Sequence, residues 1–355
     1  MPGSGTLPGM NETRRVFQLD AMRGVLAFGV MVFHVTAWSG GVLVTTLGTY
    51  WVYAFFVLSG FALEHVYGSR LGSSAAVVAF ARARVGRIAP LFLAATLLTV
   101  AAAVAGGHRV DAVQVGANIT GLFGLWQPGA SQVAEGAWSL GIEFVFYAIF
   151  PILVALRLGT PAIAGLALGA LLLRIVWVDF VWPAGANFGT TWNAYTVVPS
   201  LLVFFLAGML AARLAPTESR RAGHIPFLVG CCLLLLVLAA SALPVPQRDL
   251  FAGPVSIALV AATSLAVCVA ALGAAWHGLA ARLATLLGDA SYATYLLHPL
   301  VWGVLALAGL GVATLVVTPL LALAVHRWFE RPAQRLIRSF GARGPAPLHA
   351  TAEAG

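Results

Sequence analysis

Apolar runs close to twenty residues long recur from one end of the chain to the other, and little else in the sequence limits its fold so tightly. A helix rising 1.5 Å per residue needs about 20 apolar residues to cross the roughly 30 Å hydrocarbon core of a bilayer. A membrane barrel would instead show segments of about 10 residues with strict alternation. Runs of the helical kind fall near residues 17–38, 48–66, 88–105, 137–156, 161–178, 196–213, 225–243, 253–273, 289–308 and 311–329. The expected fold is therefore all-α: a polytopic membrane protein of about ten transmembrane helices. Composition agrees. The chain is 60% hydrophobic and 9% charged, with mean hydropathy +0.93, whereas soluble proteins carry about 25% charged residues.

Between the runs the sequence sets the orientation. The net charge is +8, and the 20 basic residues are all arginine. They lie between apolar segments, which is the pattern of a positive-inside bias and not of a nucleic-acid-binding face. One set of loops holds Arg14, Arg15, Arg70, Arg82, Arg84, Arg87, Arg157, Arg220, Arg221, Arg282 and the arginines of the C-terminal tail; the opposite set holds little beyond Arg109 and Arg248. Both termini are thus expected in the cytoplasm of a multi-pass cell-membrane protein. Asp20, Arg23 and His34 interrupt the first apolar run, which is too long for a signal-peptide core, so an uncleaved first helix is expected. Cys231, Cys232 and Cys268 read as small buried hydrophobes. Residues 1–13 and 341–355 read as disordered tails around one domain, 14–340. A short interfacial helix is expected at 110–124. In the loop 179–194, Trp182 and Trp192 suit membrane-interface anchors.

Ionisable groups inside apolar spans are costly and usually functional. The stretch Leu19–His34, LDAMRGVLAFGVMVFH, carries three of them. Arg23 and His34 are eleven residues apart, close to three full turns, so they share a helix face about 16 Å apart along the axis. Asp20, three residues before Arg23, is placed to orient its guanidinium. Arg84 and Arg87 are also three apart and read either as topology determinants or as a guanidinium clamp for phosphate. In FFVLSGF, Gly60 suits close helix packing, and Ser59 could line a pocket. Glu143 sits inside its span and belongs either to a site or to a structural polar network. His298, followed by Pro299 in mid-span, is either a satisfied core residue or a second functional histidine. Glu64, His65, Arg174 and Asp179 are expected at solvated helix ends, and Glu330 in an interfacial ion pair. Neither a metal-binding spacing such as HExxH nor a nucleotide-binding glycine motif occurs, so no metal is expected.

Six of these elements, in order, resemble the membrane acyltransferase 3 family, whose bacterial members O-acetylate lipopolysaccharide, peptidoglycan, exopolysaccharides and macrolides. They are LDAMRG with Arg-x10-His (Arg23, His34), FFVLSGF, RVGRIAP with Arg84 and Arg87, WSLGIEFVFYAIFP with Glu143, SYATYLLHP with His298, and the closing ERP. Together they span about residues 17–340. One departure is Phe144, at a position that is often acidic or polar in the family. The resemblance implies about ten helices, an acyl-CoA donor (acetyl-CoA foremost) used from the cytoplasmic side, and a hydroxylated glycan or glycosylated metabolite as acceptor.

On that basis Arg84 and Arg87, with Arg23, Asp20 and Arg14 or Arg15, are expected to hold the donor. His34 is expected as general base, with an acyl-histidine as the alternative. Glu143 and His298 are the candidate partners of His34. A transporter of a glycan or organic anion is the rival class, since it also needs a basic mouth and buried ionisable groups; release of CoA from a thioester separates the two.

Overall fold

The computed structural model describes residues 16–41, 45–182, 186, 188–215, 225–240, 254–271 and 276–339. The two tails, Arg14, Arg15, Arg220, Arg221 and Arg248 lie outside these residues. Among the described residues the chain is all-helical, with no strand. Five helical stretches are long and apolar enough to cross a membrane: Phe17–Trp38, Ser74–Ala105, Trp138–Ala155, Thr160–Val181 and Gly311–Ser339. Large apolar side chains on the outside of the bundle, such as Leu98, Phe180 and Val304, are exposed, as a lipid-facing surface requires.

In chain order the helices are α1 (Phe17–Trp38), α2 (Thr45–Tyr67), α3 (Ser74–Ala105), α4 (Ala112–Thr120), α5 (Pro128–Ser131), α6 (Trp138–Ala155), α7 (Thr160–Val181), α8 (Phe188–Tyr195), α9 (Val198–Leu214), α10 (Ile225–Ala240), α11 (Pro254–Ala271), α12 (Gly278–Ala306), α13 (Thr314–Val325) and α14 (Arg331–Ser339). A π-helical turn, His326–Glu330, joins the last two. One core cluster is built mainly from α1, α2, α6, α7, α9 and α11. A second lies among α3, α6, α12 and α13.

Two helices begin well before their apolar runs. α3 starts at Ser74, not near residue 88, because Ser73 caps it: its hydroxyl accepts from the Ala76 amide at 3.2 Å. The alanine-rich segment that follows favours helix. Arg82, Arg84 and Arg87 therefore sit on a helix and not in a loop, and Pro90 lies in the helix interior. α12 likewise starts at Gly278, so Arg282 is helical too. The short helix expected at 110–124 is α4, closed by Gly121 in the left-handed region at φ 75°, a conformation that carries no steric cost for glycine.

One close helix contact is between α2 and α9. A Cβ on Gly60 would lie 2.0 Å from the Phe205 carbonyl oxygen, and one on Gly208 would lie 2.1 Å from that of Val57. Gly60 thus serves close packing, as its setting in FFVLSGF implies.

Several polar residues expected at solvated helix ends or at the interface are inside. Arg174 is fully buried. Its Nη1 donates to the Ser200 carbonyl at 2.7 Å, and the guanidinium lies 5.2 Å from the ring centres of both Tyr53 and Phe204. Glu64 is held by Arg213 at 2.6 Å, tying α2 to α9. Glu330 is buried and pairs with His326 at 2.8 Å, while Arg331 bonds Asp289 at 2.9 Å. Trp182 is buried and stacks on Tyr195, and Trp192 packs edge-on against Trp138. The Trp182 indole nitrogen donates to the Ala186 carbonyl at 3.0 Å, so this side chain faces protein and is no interface anchor. Cys232 is exposed and not buried.

Candidate active site

The site follows from how α1 and α12 meet. A Cβ on Gly24 would lie 2.5 Å from the Leu287 Cβ, and one on Gly288 would lie 2.6 Å from the Asp20 Cβ. The missing side chains let the two helices touch. From that contact they run in parallel. His34 lies ten residues beyond Gly24, and His298 ten beyond Gly288, so about three turns on the two imidazoles face each other. His34 Nδ1 and His298 Nε2 are 2.8 Å apart. One turn further, Trp38 and Trp302 meet with ring centres 4.9 Å apart, and Trp38 stacks on His34 at 5.0 Å.

The hydrogen bonds assign the protons. His298 Nδ1 lies 3.2 Å from the Thr294 carbonyl, which only accepts, so this nitrogen carries the hydrogen. Nε2 of neutral His298 is then an acceptor. It takes its hydrogen bond from His34 Nδ1, which leaves His34 Nε2 with a free lone pair. His298 is fully buried and His34 partly accessible. A carbonyl therefore orients one histidine, which orients and polarises the second, and the second presents a base.

His34 borders a cavity of about 220 Å³ that is also lined by Thr49, Gln132, Glu135, Trp138 and Trp192. Glu135 makes no hydrogen bond or ion pair among the described residues. On the other side of Val52 and Tyr295 lies a second cavity of about 100 Å³, lined by Arg23, Arg84, Arg87, Glu143, Tyr147 and Tyr292 among others. Here Glu143 accepts from Ser59 at 3.1 Å and from the Tyr147 hydroxyl. Arg84 lies over the rings of Tyr67 and Tyr147, 5.4 and 5.9 Å from their centres. Its Nη2 donates to the Tyr67 hydroxyl at 3.4 Å, and its buried Nε has no partner among the described residues. Asp20 holds Arg23 at 3.1 Å, the pair expected from their spacing.

The candidate residues thus divide. The structure joins His34 to His298 and places Glu143 with the arginines. Phe144, at the family's often polar position, packs edge-on against Phe92 in the second core cluster, so no carboxylate pair stands there. Sequence reasoning did not pick out Tyr147, Tyr295 or Trp38. Tyr147 and Trp38 were within reach of it: each lies four residues after a chosen residue, Glu143 or His34, hence on the same face.

The family model described as an acyltransferase domain matches residues 16–325. The chain belongs to the acyltransferase 3 family. The matched segment runs from one residue before α1 to the end of α13 and so contains both cavities, and the molecule is an acyltransferase and a membrane protein. Among curated proteins, it is similar to the exopolysaccharide production protein ExoZ of Rhizobium meliloti (strain 1021). The two are 29% identical over 327 residues, covering 86% of this chain and 95% of that protein. It is also 28% identical over 353 residues to acyltransferase MdmB of Streptomyces mycarofaciens, covering 88% of this chain and 87% of that protein. No solved structure matches this acyltransferase significantly.

Proposed function

We propose that this acyltransferase moves an acyl group, acetyl foremost, from cytoplasmic acyl-CoA to a hydroxyl of a glycan or glycosylated metabolite. In this reading it is a multi-pass protein of the cell membrane with about ten spans and both termini in the cytoplasm. The observation that carries the reading is the His34–His298 pair, whose hydrogen bonds leave His34 Nε2 as a base beside a cavity separate from the arginine-lined one. Two cavities of different chemistry suit two substrates.

The arginine cavity suits the donor. CoA carries several phosphate charges, and guanidinium forks bind phosphate in two-point fashion. Arg84 and Arg87 would take the phosphates, Arg23 would guide the pantetheine arm, and Glu143 with Ser59 and Tyr147 would face that arm. The histidine cavity suits the acceptor, because indole faces and amide or carboxylate groups match the apolar faces and hydroxyls of a sugar. The relative named for exopolysaccharide production supports that class of acceptor.

In the transfer step, His34 Nε2 takes the proton of the acceptor hydroxyl as its oxygen attacks the thioester carbonyl. The C–O bond forms and the C–S bond breaks. The proton then passes from His34 to the departing CoA sulfur, so an ester and a free thiol leave. His298 acts through His34, accepting its Nδ1–H and holding the ring as it becomes cationic.

The test is release of CoA thiol by the purified protein from acetyl-CoA, together with transfer of labelled acetyl to glycans in membranes of the producing strain. No thiol release and no labelled product would refute the assignment and favour a carrier. Within the same assay, Arg84→Ala and Arg87→Ala are each expected to raise the KM for acyl-CoA by about 10- to 100-fold, from the roughly 1.5–3 kcal/mol of a hydrogen bond to a charged group. At saturating donor kcat is expected to change little, because these contacts lie away from the reacting carbonyl.

A further inference from the structure

The two cavities share two lining residues, Val52 of α2 and Tyr295 of α12. Both are largely buried. The Tyr295 hydroxyl donates to the Gly136 carbonyl at 2.8 Å and lies 2.7 Å from Ser139 Oγ. Those two partners belong to the segment that opens α6, so the tyrosine is pinned across the boundary from α12. Its ring stands edge-on to His298, with centres 6.2 Å apart, and to Phe55 at 6.1 Å.

We propose that Val52 and Tyr295 form a neck between the donor and acceptor cavities, and that its width selects the acyl group by its breadth. This rests on the donor reading above: a thioester entering from the arginine side must pass its acyl group between these residues to reach His34. A straight acyl chain is no broader than the pantetheine arm behind it. A chain branched beside the carbonyl is broader and meets Val52 or the Tyr295 ring. In this proposal the neck admits acetyl and propionyl groups and excludes isobutyryl. The hydroxyl bonds of Tyr295 fix the aperture, and through them the loop carrying Glu135 and Gln132 on the acceptor side touches the donor gate.

The experiment compares transfer from acetyl-CoA and isobutyryl-CoA, read as CoA thiol release with membranes of the producing strain as the source of acceptor. The variants are Val52→Ala, Val52→Phe and Tyr295→Phe. Val52→Ala is expected to raise the isobutyryl-to-acetyl ratio of kcat/KM about tenfold or more. Tyr295→Phe, which keeps the ring but frees it, should move the ratio the same way by a smaller factor. Val52→Phe should block acetyl transfer while CoA itself still binds as to the wild type. A ratio, and binding measured separately from transfer, report on the neck even where a variant folds in lower yield. An unchanged ratio in Val52→Ala, or wild-type transfer by Val52→Phe, overturns the neck while leaving the acyl-CoA reading intact. Failure of the wild type to release thiol from any acyl-CoA overturns both.

Discussion

His34→Ala is expected to lower acyl transfer by about 10²–10⁴-fold, the usual contribution of a positioned acid–base group, with binding of CoA unchanged. The two parts follow from the division of the site. His34 lies on the acceptor side of Val52 and Tyr295, away from the arginines that would hold the phosphates. The loss should therefore fall on kcat, as for an interaction made only in the transition state. His298 tests the proton assignment. His298→Leu removes the acceptor from His34 Nδ1–H, which lies 2.8 Å away, and leaves that donor unsatisfied beside a buried wall. Transfer should fall about 10- to 100-fold, matching the 1.5–3 kcal/mol of a hydrogen bond to a group that becomes charged. His298→Gln can present a carbonyl oxygen near the position of Nε2 and should recover part of that loss. A merely structural role for His298 predicts no such recovery. Because His298 acts only through His34, the double variant His34→Ala/His298→Leu should transfer no more slowly than His34→Ala alone. Additive losses in the double variant would show that His298 touches the reaction independently.

Much of the α1 part of the site was open to sequence reasoning because it is written as helical spacing. Asp20 and Arg23 are one turn apart, and Arg23 and His34 three turns, so a single helix places them without knowledge of any neighbour. The partner of His34 was not legible in that way. It depends on the crossing of α1 with α12, which two glycines set from opposite sides, Gly24 against Leu287 and Gly288 against Asp20. Glu143 and His298 carry equal claims until that contact is known. Arg174 and Glu64 mislead for the complementary reason. A charge at the end of an apolar run ordinarily faces water, yet Ser200 with two aromatic faces receives one of these, and Arg213 the other. These partners are 26 and 149 residues away in sequence. The boundaries of α3 and α12 were hidden because an apolar run reports where lipid-compatible surface lies, whereas a helix extends as far as its caps and propensities allow.

The contact between α2 and α9 should be highly sensitive to a single added methyl group. A Cβ at residue 60 would stand 2.0 Å from a backbone carbonyl oxygen, well inside contact distance, and a carbonyl in a helix cannot swing away as a side chain can. The helices must separate, which strips packing along their length. Gly60→Ala and Gly208→Ala are each expected to destabilise by about 1–3 kcal/mol or more, the range for overpacking a filled interior, measured by thermal unfolding of the detergent-solubilised protein. Gly60→Leu is expected to give no folded protein. The two glycines approach carbonyls of the facing helix from opposite sides of one crossing, Gly60 toward Phe205 and Gly208 toward Val57. Once one methyl has forced the helices apart, the second finds part of its space already made. The double variant Gly60→Ala/Gly208→Ala should therefore lose less than the sum of the singles, by about 0.5–3 kcal/mol, the coupling typical of residues in contact. Strict additivity would mean that the strain relaxes locally at each site. The displacement should also reach the chemistry, because Ser59, adjacent to Gly60, donates to Glu143 at 3.1 Å. As α2 leaves α9, Ser59 and Val52 move against the donor cavity, so Gly60→Ala should raise the KM for acyl-CoA even at temperatures where the protein remains folded.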